Sequence, residues 1–398
     1  MRFLHRKIEK LLADVLSAFP SVVLTGPRRA GKTTILRRIL PKASYALLED
    51  PDILARVRDD PRSFLDDLPT PAIIDEIQNA PELFSYIRSR IDAHPRKMGQ
   101  WLLTGSQEFS LMRGVTESMA GRSAILRLMP LSLVEAPKMT LLSGGYPEAL
   151  DLVKLRGTWF SSYLQTYLER DVRSIANIRD LGIFRRFLAL VASRHGQVLN
   201  SSALAAPLSV SVPTIQSWLD ILEITGQIIL VEPYFENLGK RLIKRPKLYL
   251  ADSGLACHLL GIETAAELQR SPFYGFLFEG MIAAEILKSQ VNAGKQPTLY
   301  YFRDQQGLEV DFLFPAQAGQ LRLIECKAGR TALPSMAKPM LALKKAMGAS
   351  KELRLTLVHQ AAPGGMSSRA LTPGVEALDF PSFVADLNQA KPSRRTTS

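Results

Sequence analysis

Eight residues near the start of the sequence, Gly26-Pro27-Arg28-Arg29-Ala30-Gly31-Lys32-Thr33, constrain the fold more than anything else in the chain. Two glycines with four residues between them, followed by Lys-Thr, form the pattern of a phosphate-binding loop. The glycines let backbone N–H groups curl around phosphate oxygens, and the N-terminus of the following helix adds favourable potential. That geometry needs a strand before the loop and a helix after it. Ser21–Thr25 is a short apolar run and Thr33–Leu40 reads as a helix, so both are present. Gly26, Pro27, Arg28, Arg29, Ala30, Gly31, Lys32, Thr33 and Thr34 are therefore the expected nucleotide contacts. Lys32 would reach the β- and γ-phosphates, and the Thr33 hydroxyl would bind Mg²⁺.

A phosphate loop needs a second acid to hold the metal, delivered from the end of a neighbouring strand. Ala72-Ile73-Ile74-Asp75-Glu76 supplies it. Asp75 should orient the metal and its waters, and Glu76 is placed to activate the attacking water. Trp101–Thr104 is a further strand candidate, and residues 21–128 as a whole alternate apolar runs with helical stretches, the signature of a parallel α/β sheet. Ahead of them, Leu4, Ile8, Leu11, Leu12, Val15 and Phe19 recur at helical spacing. Glu9 and Asp14 interrupt what would have to be an uncharged stretch in a secretion signal.

The 398 residues exceed what one core usually serves, so two or three domains are expected. Cys257 and Cys326 are the only cysteines, which excludes a disulfide scaffold and a four-thiolate zinc site. No apolar run approaches the roughly 18 residues that span a bilayer. A cytoplasmic, non-membrane protein is expected. Fifty Lys and Arg against 38 acids give a formal charge of +12, which favours anionic partners, nucleic acid first among them.

The middle of the chain, from about 155 to 225, reads as mostly helical. Ala203–Ala206 forms a short helix and a second is opened by Pro213 and capped by Ser211. Ile215, Trp218, Leu219 and Leu222 share one face of the second helix, with Thr214, Gln216, Ser217 and Asp220 as its polar positions. With Ile228–Tyr234 as a wing, this is the order of a winged helix-turn-helix. Directly after it, Lys240, Arg241, Lys244, Arg245 and Lys247 form a cluster without an acid that could neutralise several phosphates. The alternative is a packing adaptor whose bases pair with acids of neighbouring segments.

Further on, Leu308–Phe314 and Leu321–Lys327 alternate strongly around a turn-like Pro315–Gln320, which predicts a hairpin. Glu309 and Asp311 fall on one face, Glu325 and Lys327 together, and Cys326 away. If Phe314 faces Leu321, Asp311 lies opposite Ile324, one step from Glu325. Two carboxylates so close repel unless a cation sits between them or one is protonated, and a divalent metal is the natural resolution. Residues 361–376 read as a loop, and the histidines at 5, 94, 195, 258 and 359 show no metal spacing.

Taken together, the stretches Leu24–Thr34, Ile73–Gln78, Leu102–Gln107, Ala120–Arg122, Gly144–Pro147, Tyr167–Val172, Lys240–Asp252 and Glu309–Lys327 resemble the AAA-type P-loop ATPases fused to a DUF4143 domain, which has a winged helix and a PD-(D/E)XK nuclease-like core. The resemblance implies ATP as the nucleotide. It also implies a γ-phosphate sensor at the end of the Leu102–Thr104 strand, either Thr104 or Ser106, with Ser106 preferred. Arg122 would be an arginine finger or an intramolecular sensor, and a finger acting in trans would require a homo-oligomer. The alternative is that Arg122 pairs with a local acid. Asp311, Glu325 and Lys327 look like the nuclease trio, and Glu279 matches the acid that an upstream helix often adds. The carboxylates would hold Mg²⁺, and Lys327 would position or deprotonate the attacking water.

The expected architecture is thus α/β in three parts: an AAA-type parallel-sheet domain over 1–155, a helical winged-helix module over 156–236, and an α/β nuclease-like domain over 237–385, with a disordered tail at 386–398. The expected function is ATP-driven work on DNA. The rival is a nucleotide-controlled signalling or defence switch whose nuclease-like domain is inactive and binds a protein.

Overall fold

The computed structural model describes residues 4–105, 119–167, 180–234, 244–316, 319–348, 352–361 and 368–389. A first sheet holds five parallel strands, β1 (Ser21–Thr25), β2 (Ser44–Leu47), β3 (Ala72–Asp75), β4 (Trp101–Thr104) and β5 (Ser123–Arg127), in the order β2-β3-β4-β1-β5. Every residue of β1 is buried, because both faces of the sheet are covered. Alternate side chains feed the two covers. Val22 and Leu24 pack with Ile8, Leu12 and Leu16 at the N-terminal helix Glu9–Ala18, while Val23, Ile74 and Leu103 pack with Phe84 and Ile87 on the other side. Phe19, expected on the apolar face of that helix, is its C-cap and is exposed. Since the strands are parallel, the C-terminal ends of β1, β3 and β4 line one edge, and the phosphate loop opens from β1 between β4 and β5.

The second sheet has nine strands: β6 (Gln197–Val198), β7 (Ile228–Pro233), β8 (Lys247–Leu250), β9 (Tyr300–Arg303), β10 (Glu309–Pro315), β11 (Leu321–Lys327), β12 (Leu353–His359), β13 (Ser368–Thr372) and β14 (Val375–Asp379). Their order is β13-β14-β12-β11-β10-β9-β7-β8-β6. β9, β10 and β11 form an antiparallel meander, and β12 runs parallel to β11 after the helix Lys338–Met347. The long helix Tyr274–Asn292 precedes the meander. It buries Leu277, Phe278, Ile282 and Ile286 in one core with Phe312, Ile324 and Val358.

Several expectations change here. The segment expected as a wing, Ile228–Tyr234, supplies β7, which pairs with β8 on one side and with β9 on the other, inside the larger sheet. The second helix of the middle segment, Val212–Ile224, is capped by Ser211 and buries Ile215, Trp218, Leu219 and Leu222 as expected, but into the same core as Phe278 and Phe312. The boundary expected at 236/237 therefore does not separate two cores. The hairpin register is one residue off the expected one, with Pro315 opposite Leu321, Phe314 opposite Arg322 and Phe312 opposite Ile324. The segment read as a loop over 361–376 contributes β13 and the start of β14, and the helix Phe380–Asn388 runs past the expected domain end at 385. Among the described residues no helix is long and apolar enough to cross a membrane.

Candidate active site

The phosphate loop owes its path to backbone that only some residues accept. Gly26 has φ +134° and Gly31 has φ +94°, the latter where the helix Lys32–Ile39 begins. A Cβ on Gly26 would lie 2.1 Å from the Leu128 carbonyl oxygen, so no other residue fits there. Lys32 is buried, and its ammonium donates to the carbonyls of Gly26 (2.8 Å) and Pro27 (3.0 Å), curled over the loop it serves. Arg28 and Arg29 point outward to acids, Arg28 to Glu49 at 3.5 Å and Arg29 to Glu148 at 2.9 Å. Ala30 is buried, and Thr34 is exposed on the first turn of the helix, on a different side from Thr33.

The expected acid comes from β3, which is not the neighbour of β1, because β4 lies between them. Asp75 at the end of β3 is buried; its Oδ2 accepts from the Thr33 hydroxyl at 2.7 Å and from the Tyr45 hydroxyl at 2.9 Å. Its Oδ1 accepts from the hydroxyl of Thr104, at the end of β4. Burial and the neighbouring Asp75 carboxylate hold the Tyr45 phenol well above its usual range. A threonine hydroxyl beside a buried carboxylate is a set of hard oxygen donors that suits Mg²⁺, whose remaining positions go to water and phosphate. Glu76 follows in the left-handed conformation (φ +57°), which turns the chain sharply at the strand end. The Gln78 side-chain amide donates to its carboxylate. Tyr45 and Gln78 are members of this network that the sequence reading did not name. Thr104 is the polar residue that the structure brings to Asp75; Ser106 lies outside the described residues. Arg122 is not brought to the loop: it grips Asp92 through Nε (2.6 Å) and an Nη (3.0 Å), which is the local pairing weighed as the alternative.

A second cluster lies in the larger sheet. Glu279 on the long helix, Asp311 on β10, and Glu325 and Lys327 on β11 converge as the sequence reading expected, and Glu309 on β10 and Lys247 on β8 join them. Lys247 corrects the basic cluster. Its ammonium is not free for phosphate but is buried, 2.6 Å from Glu309 and 3.0 Å from Glu279. Burial alone would lower its pKa, but Glu279, Asp311 and Glu309 outweigh that and hold it protonated. Lys244 and Arg245 are exposed, and Lys240 and Arg241 lie outside the described residues. The Tyr249 hydroxyl also donates to Glu279, and the Cys326 N–H donates to Asp311 at 2.7 Å. Lys327 reaches Glu325 at 2.7 Å.

Burial, then the charge of Asp311, pushes the Glu279 carboxyl up to about 7 and that of Glu325 up to about 8. Asp311 is raised too, by burial. Whether this cluster fits a metal can be read from its partners. Among the described residues no three His, Cys, Asp or Glu side chains are arranged to hold one. Glu325 keeps one buried oxygen without a partner, but Glu279, Asp311 and Glu309 are already met by Lys247, Tyr249 and a backbone N–H. As arranged, Glu279, Asp311 and Glu325 do not form the expected Mg²⁺ site; lysines neutralise the cluster instead.

Other motif stretches prove structural. Gly144 has φ +61°, and a Cβ there would lie 2.0 Å from Asp252. Asp252 takes the Gly145 N–H at 2.7 Å and caps the helix Ser253–Leu259 through the Leu255 N–H at 2.9 Å. His195 is buried against Tyr249, and burial brings its pKa down to about 4.

Comparison with known proteins fits this division. Residues 18–136 match the family described as an AAA domain, residues 135–266 a domain of unknown function (DUF8612), and residues 274–369 a domain of unknown function (DUF4143). The chain is 33% identical over 339 residues to the uncharacterized protein Rv2008c of Mycobacterium tuberculosis and, to the same extent, to Mb2031c of Mycobacterium bovis; the alignment covers 83% of this chain and 74% of each relative. An uncharacterized protein of Haemophilus influenzae is 25% identical over 219 residues, 49% of this chain and 53% of that one. Among solved structures, the Walker-type ATPase PABY2304 of Pyrococcus abyssi aligns with a TM-score of 0.42 and 15% identity, covering 64% of this chain and 95% of that one. The ORC1 protein of Aeropyrum pernix, solved in complex with DNA, aligns at 0.30 and 15%, covering 68% and 94%. Neither superposition is close enough to carry an argument. The relatives, the matched families and the phosphate loop on its parallel sheet agree: the chain belongs to the family of Rv2008c and Mb2031c, with a P-loop AAA-type domain joined to a DUF4143 domain.

Proposed function

We propose that the chain is an ATP hydrolase whose nucleotide state is passed to a C-terminal module of nuclease-like architecture, and that this module engages DNA without cutting it. The hydrolytic half rests on the loop, Thr33 and Asp75. Bound Mg²⁺ would supply charge neutralisation at the phosphates, held by the Thr33 hydroxyl and by Asp75 through water. Lys32 leaves the Gly26 and Pro27 carbonyls for the phosphates, Glu76 orients and deprotonates the attacking water, and Thr104 fixes Asp75.

Transmission has a physical route. Lys288 and Glu285, on the same helix as Glu279, bind the chain just after β5: Lys288 donates to the Leu131 carbonyl at 2.8 Å, and the Leu133 N–H donates to Glu285 at 3.0 Å. The turn at Gly226 packs on Pro27, where an added Cβ would lie 3.2 Å from the proline ring.

The observation that carries the non-cutting reading is Lys247. Its buried ammonium takes an oxygen of Glu279, one of the three carboxylates expected to hold a metal, and ties it to Glu309. DNA as partner is supported by the charge of +12 and by the exposed Lys244 and Arg245 beside the cluster. A second reading, an active nuclease, draws support from the convergence of Glu279, Asp311, Glu325 and Lys327 from three separate elements. The rival in which this module binds a protein predicts no DNA affinity. Binding and cleavage of a labelled DNA duplex and single strand, with Mg²⁺ and with or without ATP, separate the three. Salt-sensitive binding with no cleavage supports the proposal, and cleavage lost in Asp311→Ala supports the nuclease. Absence of binding favours the protein partner.

A further inference from the structure

The N-terminal Arg6 sits among residues far from it in sequence and has no assigned part in nucleotide chemistry. Its side chain is 5% exposed, and each of its three nitrogens makes a directed hydrogen bond. Nη1 donates to the Ala30 carbonyl at 2.8 Å, Nη2 to the Met129 carbonyl at 2.5 Å, and Nε to Glu135 at 3.1 Å. Glu135 is fixed in turn. One oxygen also accepts the Lys7 N–H at 2.7 Å, and the other accepts the Ser132 N–H at 2.8 Å and the Ser132 hydroxyl at 3.1 Å. A buried charge pair held by several directed bonds is rigid, and the planar guanidinium keeps its three bonds in a fixed fork, where a lysine ammonium is a compact, rotatable point charge.

The target of the first bond matters. Ala30 is the residue before Gly31, and a trans peptide points its carbonyl oxygen and the following N–H to opposite sides. Holding the Ala30 oxygen against Arg6 therefore aims the Gly31 N–H away from Arg6. Gly31 can adopt the φ of +94° that the loop needs there, but a glycine left to itself would sample other orientations.

We infer that Arg6, held by Glu135, is a positioning residue for the nucleotide site: it pre-orients the Ala30–Gly31 peptide so that the Gly31 N–H donates to a phosphate oxygen. Arg6 touches no nucleotide. The inference rests on the proposed ATP site. It also explains why an arginine is buried at the start of the chain, where basic residues are usually solvated.

The donor would act on the ground state and the transition state alike, so its loss should appear in KM more than in kcat. It would act on the β- and γ-phosphates that the loop backbone and Lys32 cradle, so diphosphate affinity should suffer and monophosphate affinity should not. The experiment titrates ADP and AMP into the full chain by calorimetry, for wild type, Arg6→Lys, Arg6→Gln and Glu135→Gln, and records ATP turnover and nucleotide-free melting of each. The expected result is a loss of ADP affinity of about tenfold in both Arg6 variants, a hydrogen bond to a charged group being of that order. Glu135→Gln should show a smaller loss. AMP affinity should stay within about twofold, and KM should rise while kcat changes little. Equal losses for ADP and AMP, unchanged ADP affinity, or nucleotide-free unfolding of all three variants would each overturn the inference. Wild type that binds neither nucleotide would instead sink the ATP reading itself, with Lys32→Ala as its control.

Discussion

Replacing Lys247 with methionine keeps most of the side-chain volume and removes the one charge that ties Glu279 to Glu309. The magnitude follows from the geometry. At about 3 Å and an effective dielectric near 20, each ion pair is worth roughly 5 kcal/mol of attraction before desolvation is counted. Removing one partner of a buried pair typically costs about 3–5 kcal/mol. Two features move this case toward the lower end. Glu309 is 30% exposed and keeps Arg303 at 3.4 Å, so it rehydrates. Glu279 keeps the Tyr249 hydroxyl and, with its pKa already up to about 7, escapes part of the penalty by taking a proton. The expected loss is about 3 kcal/mol in urea unfolding followed by circular dichroism. Adding Glu279→Gln removes the stranded charge, so the double variant should regain about 1–3 kcal/mol over additivity. A single variant within about 0.5 kcal/mol of wild type, or a strictly additive double, would refute the reading of Lys247 as the internal cation of this cluster.

The other predictions concern separate places. Glu76→Gln should still bind ATP but turn it over at least about a hundredfold more slowly, since a positioned base contributes that much; a rate near wild type would remove Glu76 from its role. Gly144→Ala should destabilise by about 2–4 kcal/mol in thermal or urea unfolding, from its left-handed φ and the collision with Asp252, whose helix cap would be lost; a change under 1 kcal/mol would contradict it. His195 is held neutral with its pKa brought down to about 4, so the unfolded chain protonates first. Its contribution is complete above the usual value near 6.5 and is lost as pH falls from there toward 4, by up to about 3 kcal/mol. Unfolding midpoints at pH 7 and pH 5 should therefore differ less in His195→Gln than in wild type. Arg122→Ala should leave ATP turnover within about threefold, because its guanidinium is committed to Asp92; a loss of a hundredfold or more would restore the arginine finger and the oligomer it needs.

What could be read in advance divides along physical lines. β1, β3 and β4 were legible to the residue because short, mostly apolar runs end in polar residues, β1 before the loop and β3 at the acid whose chemistry demands strands there. β5 was not: its run Ala124-Ile125-Leu126 is as long as Val22–Leu24, but four of its five residues are half-buried or exposed and no phosphate loop or acid follows it. The carboxylates of the second cluster were legible as a group from their period-two alternation, but the hairpin register was not. A six-residue turn leaves the pairing free by one step, and only packing sets it. Lys247 was read as surface charge because it ends a basic run, and the partners that bury it stand 32 and 62 residues further on. Arg6 was missed for the same reason. A charged residue looks solvated until the distant groups that satisfy it are known, and periodicity carries no information about them. Thr104 was named, yet Ser106 was preferred, because the hydrogen bond from Thr104 to Asp75 depends on β3 and β4 being neighbours.

The central claim is that this chain hydrolyses ATP through the loop at Gly26–Thr33 with Asp75 and Glu76. Phosphate release from ATP by the purified full chain, with Mg²⁺ and against Lys32→Ala, tests it most directly. The account predicts turnover by wild type that falls to background in the variant and on chelation of the metal. Wild type that releases no more phosphate than Lys32→Ala would contradict it.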